Sequence, residues 1–438
     1  MTKSARQVAF EVLFKIEKDK AYSNLALDSA VKNFCTSSTD SAFVTYLVYG
    51  VIERQITLDY VLSRYLNQPI SKLKKDVLTI LRLGTYQLLF SDKIPQSAAV
   101  NESVKLTKDN KCQYASGMVN AVLRKISARD LDFHHIENIA LRTSVEFSVN
   151  EEIVKFLFHH YGEKASVEFL KASLQEKKIF IKVNTTRVTT DKLIDMLEKE
   201  GVKSEKTVQP DALQIFVNDA VYNTQCYKKG LFHVEDLSSQ LCVEALDVFE
   251  NCNAIDICAA PGGKSFSIAE KMSNKGTLYS CDIYEQRVDL IMQGASRLGL
   301  SCVKPFVNDA TVHNPSLPLF DRVLCDVPCS GLGIIGKKPE IKYKKLDDIK
   351  ELYPIQKKIL ETSSAYVKKG GRLVYSTCSV NPNENRKICD DFLKNHPEFI
   401  SLKALPNVER TVDEGDYLTL MMHTNNCDGF FIAVFERK

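Results

Sequence analysis

Apolar positions recur at helical spacing through the first 140 residues. Ala5, Val8, Ala9, Val12, Leu13 and Ile16 share one face. Val44, Leu47, Val48, Val51 and Ile52 repeat the pattern, as do Val77, Ile80, Leu81 and Leu88, and then Met118, Val119, Val122, Leu123 and Ile126. Few alternating β-branched runs interrupt them, so residues 1–140 are predicted to form an all-α domain. Over 145–235 the pattern changes to a helix at 150–173, a strand at Ile179–Val183, a helix at Lys192–Glu200 closed by Gly201, and a strand at Leu213–Val217. This reads as a small α+β module. From 236 to 438, short apolar strands alternate with helices. The strands are Ala254–Ile257, Thr277–Cys281, Val303–Val307, Phe320–Cys325 and Arg372–Ser376. The helices run to Met272, from Glu285 to Leu298, from Leu346 to Val367, and over 384–395; apolar strands near 417–422 and 430–435 close the chain. Such alternation predicts an α/β domain with a parallel sheet and helices on both faces. Ligands of these sheets bind at the carboxyl ends of the strands. Asp256, Asp282, Asp309, Asp326 and Cys378 all fall at or just after such ends.

Composition narrows the class. A chain of 438 residues, 44% of them hydrophobic, has material for about three globular domains. It shows no low-complexity segment and no apolar run near the ~18 residues of a membrane span. Lys3, Arg6, Lys15, Lys18 and Lys20 are interleaved with apolar positions, which predicts an amphipathic helix rather than an export signal. The expectation is a cytoplasmic protein that does not meet the membrane. The thirteen cysteines are an odd number, scattered, with no zinc-type spacing; disulfides and a metal are not expected. The net charge is +3, and Lys plus Arg exceed Asp plus Glu in residues 1–140 but not in the remainder. A basic N-terminal segment suits phosphate contacts, and on charge alone it equally suits a solvated helical surface.

The candidate chemistry lies in the last domain. Asp256-Ile257-Cys258-Ala259-Ala260-Pro261-Gly262-Gly263-Lys264 occupies a strand-to-helix turn, where small residues admit a ligand and helix N-terminal amides favour an anion. Asp282, at the next strand end, can accept both hydroxyls of a ribose. The turn is neither a dinucleotide fingerprint nor a P-loop, so the expected ligand is a nucleoside without a pyrophosphate. S-adenosylmethionine fits, with the ribose on Asp282, adenine near Asp309 and the methionine end over the glycine turn. Two further turns, Asp326-Val327-Pro328-Cys329-Ser330-Gly331 and Tyr375-Ser376-Thr377-Cys378-Ser379, follow adjacent predicted strands. Both thiols should therefore stand above one end of the sheet, beside the donor. Carbon 5 of cytosine is a poor nucleophile, and a thiolate adding to C6 makes it enamine-like. Asp326 is placed to offset charge near N3, and a second thiol or a water can help remove the C5 proton before elimination. Spacing alone does not order the roles of the two cysteines.

These elements resemble those of the NOP2/NSUN family of RNA cytosine-5 methyltransferases. The resemblance rests on DICAAPGGKS (256–265), CDIYEQR (281–287), ND (308–309), CDVPCSGLG (325–333), KKPEIKY (337–343), YSTCSVNPNEN (375–385) and DGFF (428–431). LVYGVIER (47–54), LRLGTYQLLFSDKIPQSAAVNE (81–102) and GMVNAVLRK (117–125) resemble the NusB-like RNA-binding domain of the bacterial members that act on 16S ribosomal RNA. The resemblance implies a Rossmann-like class I methyltransferase domain with C-terminal antiparallel strands. It implies Cys378 as nucleophile, Cys329 in product release, and Cys258–Lys264, Asp282, Arg287, Asp309 and Asp326 around S-adenosylmethionine. It also implies small-subunit ribosomal RNA as partner. The chain departs from the family pattern at Lys337-Lys338, where arginines are common, at Tyr343, where Trp is common, and at Glu235, where Gln is usual.

Lys337, Lys338, Lys342, Lys344 and Lys345 follow the P-C-S-G motif directly, which suggests phosphate contacts; Tyr343 among them can stack on a base or simply pack. Two other readings stay open on the sequence. One is the same chemistry on transfer RNA or another RNA. The other is an RNA-binding assembly factor with an inactive core, against which the intact Cys378, Cys329, Asp326 and donor turn count.

Overall fold

The computed structural model describes residues 3–19, 23–34, 37–216, 219–412 and 414–438; Lys20, Val217 and one of the cysteines, Cys35, lie outside the described residues. The chain forms two compact units, Met1–Lys171 with Lys338–Leu346, and Ala172–Lys337 with Asp347–Lys438. No helix among the described residues is long and apolar enough to cross a membrane.

The first unit is helical, as its periodicity predicts. Helices at Ala5–Asp19, Ser38–Glu53, Lys75–Phe90 and Ser116–Leu123 bury Val8, Val12, Val44, Leu47, Val48, Ile80, Leu81, Val119 and Leu123 in one core. Its central helix, Lys75–Phe90, is buried without a break from Val77 to Gln87. Arg82 in that stretch is tolerated because its guanidinium forks onto Asp59, at 2.7 Å through both Nε and Nη2, and reaches Glu17 at 3.0 Å. The helix expected at 150–173 spans Glu151–Ala172 and breaks at Gly162, whose φ of 76° is a left-handed conformation that glycine adopts without penalty.

The lysine-rich segment departs from expectation. Residues 338–346 fold into the helical unit rather than lying as a solvated strip. Ile341 is buried, and Tyr343 packs against the helical core, its hydroxyl donating to the Ile52 carbonyl and accepting from the Gln55 amide at 3.1 Å. Lys342 has no exposed surface, and its carbonyl accepts from the Asn150 amide at 2.8 Å. Lys337, just before the segment, is ion-paired to Asp236 at 2.7 Å and Asp428 at 2.8 Å. Apolar anchors between the lysines override their charge. Lys342 is thus removed from the predicted phosphate contacts, Tyr343 packs rather than stacks, and Lys337, although ion-paired, stays exposed together with Lys338 and Lys345.

The second unit holds two sheets. The smaller is antiparallel, with strands β1 (Ile179–Val183), β2 (Ser204–Lys206), β3 (Ala212–Ile215) and β4 (Phe232–Val234) in the order β2-β3-β1-β4. The larger contains β5 (Asn253–Asp256), β6 (Thr277–Asp282), β7 (Val303–Val307), β8 (Phe320–Asp326), β9 (Val367–Thr377), β10 (Phe399–Leu402), β11 (Leu418–Leu420) and β12 (Phe430–Arg437). Its order is β10-β12-β9-β8-β5-β6-β7, with β11 also on β12. β5 to β9 run parallel, and β12 pairs antiparallel with β9, β10 and β11. Strand order reverses between β5 and β8, the point at which such sheets leave a crevice for ligands. Asp256 and Asp326 end the two strands that flank it.

Two elements of the larger sheet and its helices differ most from the sequence reading. The helix expected over Leu346–Val367 is two helices, Leu346–Lys350 and Leu352–Ser364. The fifth parallel strand starts at Val367 rather than Arg372, because Val367 pairs with Phe320 before a register irregularity and the chain continues through Gly370-Gly371. Gly370 and Gly371 therefore lie inside β9, next to that irregularity.

Candidate active site

The glycine turn is shaped by close backbone approaches. After β5 the Ala259 amide donates to the Cys281 carbonyl at 2.6 Å, and the Ala260–Pro261 peptide is cis. Gly262 has φ 116°, and a Cβ there would lie 2.4 Å from the Phe266 ring, so only glycine fits. Gly263 opens the helix Gly263–Lys271, whose first-turn amides have no helical acceptor. A cavity of about 240 Å³ beside the turn is lined by Cys258, Ala259, Ala260, Pro261, Gly263, Lys264, Asp256 and Asp326, and also by Val234, Glu235, Asp236 and Ser239. Asp256 accepts from Ser265 Oγ at 2.8 Å, and burial pushes its carboxyl up to about 7.

Asp282, Arg287 and Asp309 lie outside that lining. Asp282 ends β6 and is paired with Arg287 at 3.2 Å. Arg287 also donates to the Ala260 carbonyl at 3.1 Å, which ties the second strand end to the glycine turn. Asp309 is exposed after β7, its carboxylate accepting from the amide and hydroxyl of Thr311 at 2.8 and 2.7 Å. Gly262 serves the turn from behind rather than lining the cavity.

The two thiols come together. Cys329 Sγ and Cys378 Sγ are 2.9 Å apart, although 49 residues separate them. Parallel pairing of β8 with β9 sets Asp326 opposite Ser376, which brings the turns after both strands to one edge. Contact with the Cys378 thiol first, and burial second, push the Cys329 thiol well above the ordinary range. Asp326 accepts from Ser376 Oγ at 2.8 Å and pairs with Lys264 at 2.8 Å. Burial alone would lower the pKa of the Lys264 ammonium; the Asp326 carboxylate outweighs it and raises it above the usual lysine range.

Glu384 joins the two cysteine turns, a role that the sequence reading missed. Fully buried, it accepts from the Ser330 amide at 2.7 Å, Ser330 Oγ at 2.5 Å, Ser379 Oγ at 2.7 Å and Gln356 Nε2 at 3.0 Å. Gln356 Nε2 also donates to the Pro328 carbonyl at 2.9 Å. Each cysteine is thus followed by a serine held on the same carboxylate. Glu384 stands within the N-P-N-E-N run, so its motif was visible; its partners were not. Close contact of Gly333 with Gly429 completes the frame. The Gly333 amide donates to the Cys378 carbonyl at 3.0 Å, and the Gly429 amide donates to the Gly333 carbonyl at 2.8 Å.

Comparison with known proteins is consistent with this arrangement. Residues 243–436 match the family model described as 16S rRNA methyltransferase RsmB/F, and residues 3–128 match the NusB family. The chain is 38% identical to the probable ribosomal RNA small subunit methyltransferase B of Bacillus subtilis, over 99% of each chain. It is 32% identical to the protein of the same description from Synechocystis, again over 99% of each. Among solved structures, the crystal structure of PH0851 is similar with a TM-score of 0.83 and 24% identity, covering 100% of both chains, which carries the likeness of fold.

Proposed function

The chain belongs to the 16S rRNA methyltransferase RsmB/F family, and from that premise we propose that it methylates carbon 5 of a cytosine in small-subunit ribosomal RNA. The methyl donor is S-adenosylmethionine, which supplies an electrophilic methyl group. The glycine turn at Cys258–Lys264 fits its methionine end, Asp282 with Arg287 its ribose, and Asp309 the neighbourhood of its adenine. Residues 236–438 carry the chemistry, residues 145–235 form the adjoining α+β module, and residues 1–140 are the RNA-binding domain.

The observation that carries the mechanism is the contact of the two thiols. At 2.9 Å both cannot be ionised, and that contact, with burial, pushes the Cys329 thiol up. This supports Cys378 as the thiolate that adds to C6. Negative charge develops on the N3 side of the ring as the thiolate adds, and the Asp326–Lys264 pair offsets it, with the ammonium supplying the positive charge and the proton that a carboxylate alone lacks. Carbon 5 then takes the methyl group and S-adenosylhomocysteine leaves; the C5 proton passes to a water beside Cys329, its bonding pair re-forms the C5–C6 double bond, and the C6–S pair returns to Cys378 as the thiolate. Cys329 acts in that last stage.

A denaturing gel tests the assignment. Cys378→Ser should abolish turnover and form no protein–RNA adduct, because a hydroxyl is a far weaker nucleophile at neutral pH. Cys329→Ser should accumulate an adduct that requires S-adenosylmethionine. The reverse pattern would exchange the two roles, and activity with both cysteines replaced would overturn the covalent route. Bisulfite mapping of 5-methylcytosine in ribosomal RNA from cells lacking the protein tests the substrate; a complete methylation pattern there would sink that assignment.

A further inference from the structure

Behind the glycine turn lies a buried cluster of ionisable groups that the reaction above does not use. His233 of β4 stands between Glu235, 3.5 Å from its Nε2, and Glu270, 3.5 Å from its Nδ1. Burial alone would lower the imidazole pKa; the two carboxyls, Glu270 foremost, outweigh it and bring it up to about 9. Glu235 accepts from Ser267 Oγ through Oε2. Its other oxygen, Oε1, has no hydrogen-bond partner among the described residues, although Glu235 is only 5% exposed. That oxygen faces the first turn of the helix Gly263–Lys271, where a Cβ on Gly263 would lie 3.4 Å from it.

Glu235 also lines the 240 Å³ cavity. Of the other carboxylates there, Asp326 is engaged by Lys264 and Asp236 by Lys337. Asp256 Oδ1 is likewise unpartnered, but its carboxyl is about half protonated near pH 7. A buried carboxylate oxygen without a donor is costly and calls for one, which a ligand in the cavity can bring. The free amides of the neighbouring helix turn call for an anionic partner. A ligand carrying both charges close together, such as the head of an α-amino acid, satisfies the two at once.

We propose that Glu235 binds the α-ammonium of the methyl donor, while the first-turn amides at Gly263 and Lys264 take its carboxylate. The assignment rests on S-adenosylmethionine being the donor. It makes Glu235 a residue that selects for the amine of the ligand, independently of its adenosine.

Calorimetry on the full chain with three adenosine ligands tests it. S-adenosylhomocysteine has the amine and the carboxylate, S-adenosyl-3-thiopropylamine has the amine alone, and methylthioadenosine has neither. Glu235→Gln keeps the shape and removes the charge. It should weaken the first two ligands by about 10- to 100-fold, the scale of a lost hydrogen bond to a charged group, and leave methylthioadenosine unchanged, which also reports that the site is folded. Equal losses for all three ligands, or no loss for the thiopropylamine, would overturn the proposal and leave Glu235 as a partner of His233 only. Wild-type protein that binds none of the three would instead remove the donor assignment, and with it this inference.

Discussion

Glu384 shows how much one buried carboxylate can organise. Four donors converge on it from both cysteine turns and from Gln356. Glu384→Gln turns one of those acceptors into a donor that faces other donors. It should cost about 2–4 kcal/mol in denaturant unfolding. It should also lower kcat while leaving S-adenosylhomocysteine affinity unchanged; kcat equal to wild type would reduce Glu384 to a purely structural group. Asp256 makes a pH prediction. Its folded pKa, near 7, lies above the ordinary value of about 3.9, so the folded state binds the proton more tightly than the unfolded chain. The resulting stability is present below about pH 4 and is lost as pH rises towards 7, up to about 4 kcal/mol. Asp256→Asn removes this dependence. Melting curves from pH 4 to pH 8 should show the variant gaining on wild type up to about pH 7 and then running level; a constant gap would mean that Asp256 does not titrate there.

At the scale of elements, the frame around the thiols depends on glycines that permit backbone contact. A Cβ on Gly333 would lie 1.8 Å from the Gly429 carbonyl oxygen and 2.9 Å from that of Cys378. Gly333→Ala must therefore part the P-C-S-G loop from the start of β12. It should destabilise by about 1–3 kcal/mol and abolish adduct formation without weakening donor binding; normal adduct yield would show that the loop absorbs the strain harmlessly. The same scale shows what sequence patterning could reveal. The helix Glu285–Leu298 and the strand Val303–Val307 were legible to the residue, because full apolar periods bounded by Gly299 and Asn308 define them. β2 was not, since Ser204-Glu205-Lys206 has no apolar alternation and is a strand only through pairing with β3. β10, Phe-Ile-Ser-Leu at 399–402, is apolar but only four residues long, too short for an alternating pattern, and is set by pairing with β12. The acidic strand ends and both cysteine turns could be read from position alone. Glu384 and Glu235 could not, because their partners come from distant segments that only the folded chain brings together. The lysine run misled because Ile341 and Tyr343, two apolar anchors between charges, were outweighed in the reading by the charges around them.

At the scale of the whole molecule, residues 338–346 belong to the helical unit although the chain reaches them only after 166 residues of the other. Removing residues 1–171 should strip Ile341, Lys342 and Tyr343 of their packing. Trypsin should then cut after Lys342 in the truncated protein and spare it in the full chain; equal protection would show that the segment folds with the second unit. RNA-binding losses on such a truncation would therefore mix lost contacts with local unfolding, and charge-reversal variants within residues 1–140 are the cleaner probe of the salt dependence expected from phosphate contacts. The same return of the chain sets a timetable during synthesis. At roughly 5–20 residues per second, the helical unit waits about 10–30 s between the emergence of its last N-terminal helix and the arrival of the segment that caps its core. Through that interval the surface destined for Ile341 and Tyr343 stays open, so the nascent chain is most exposed to misassociation in the middle of its translation rather than at its end.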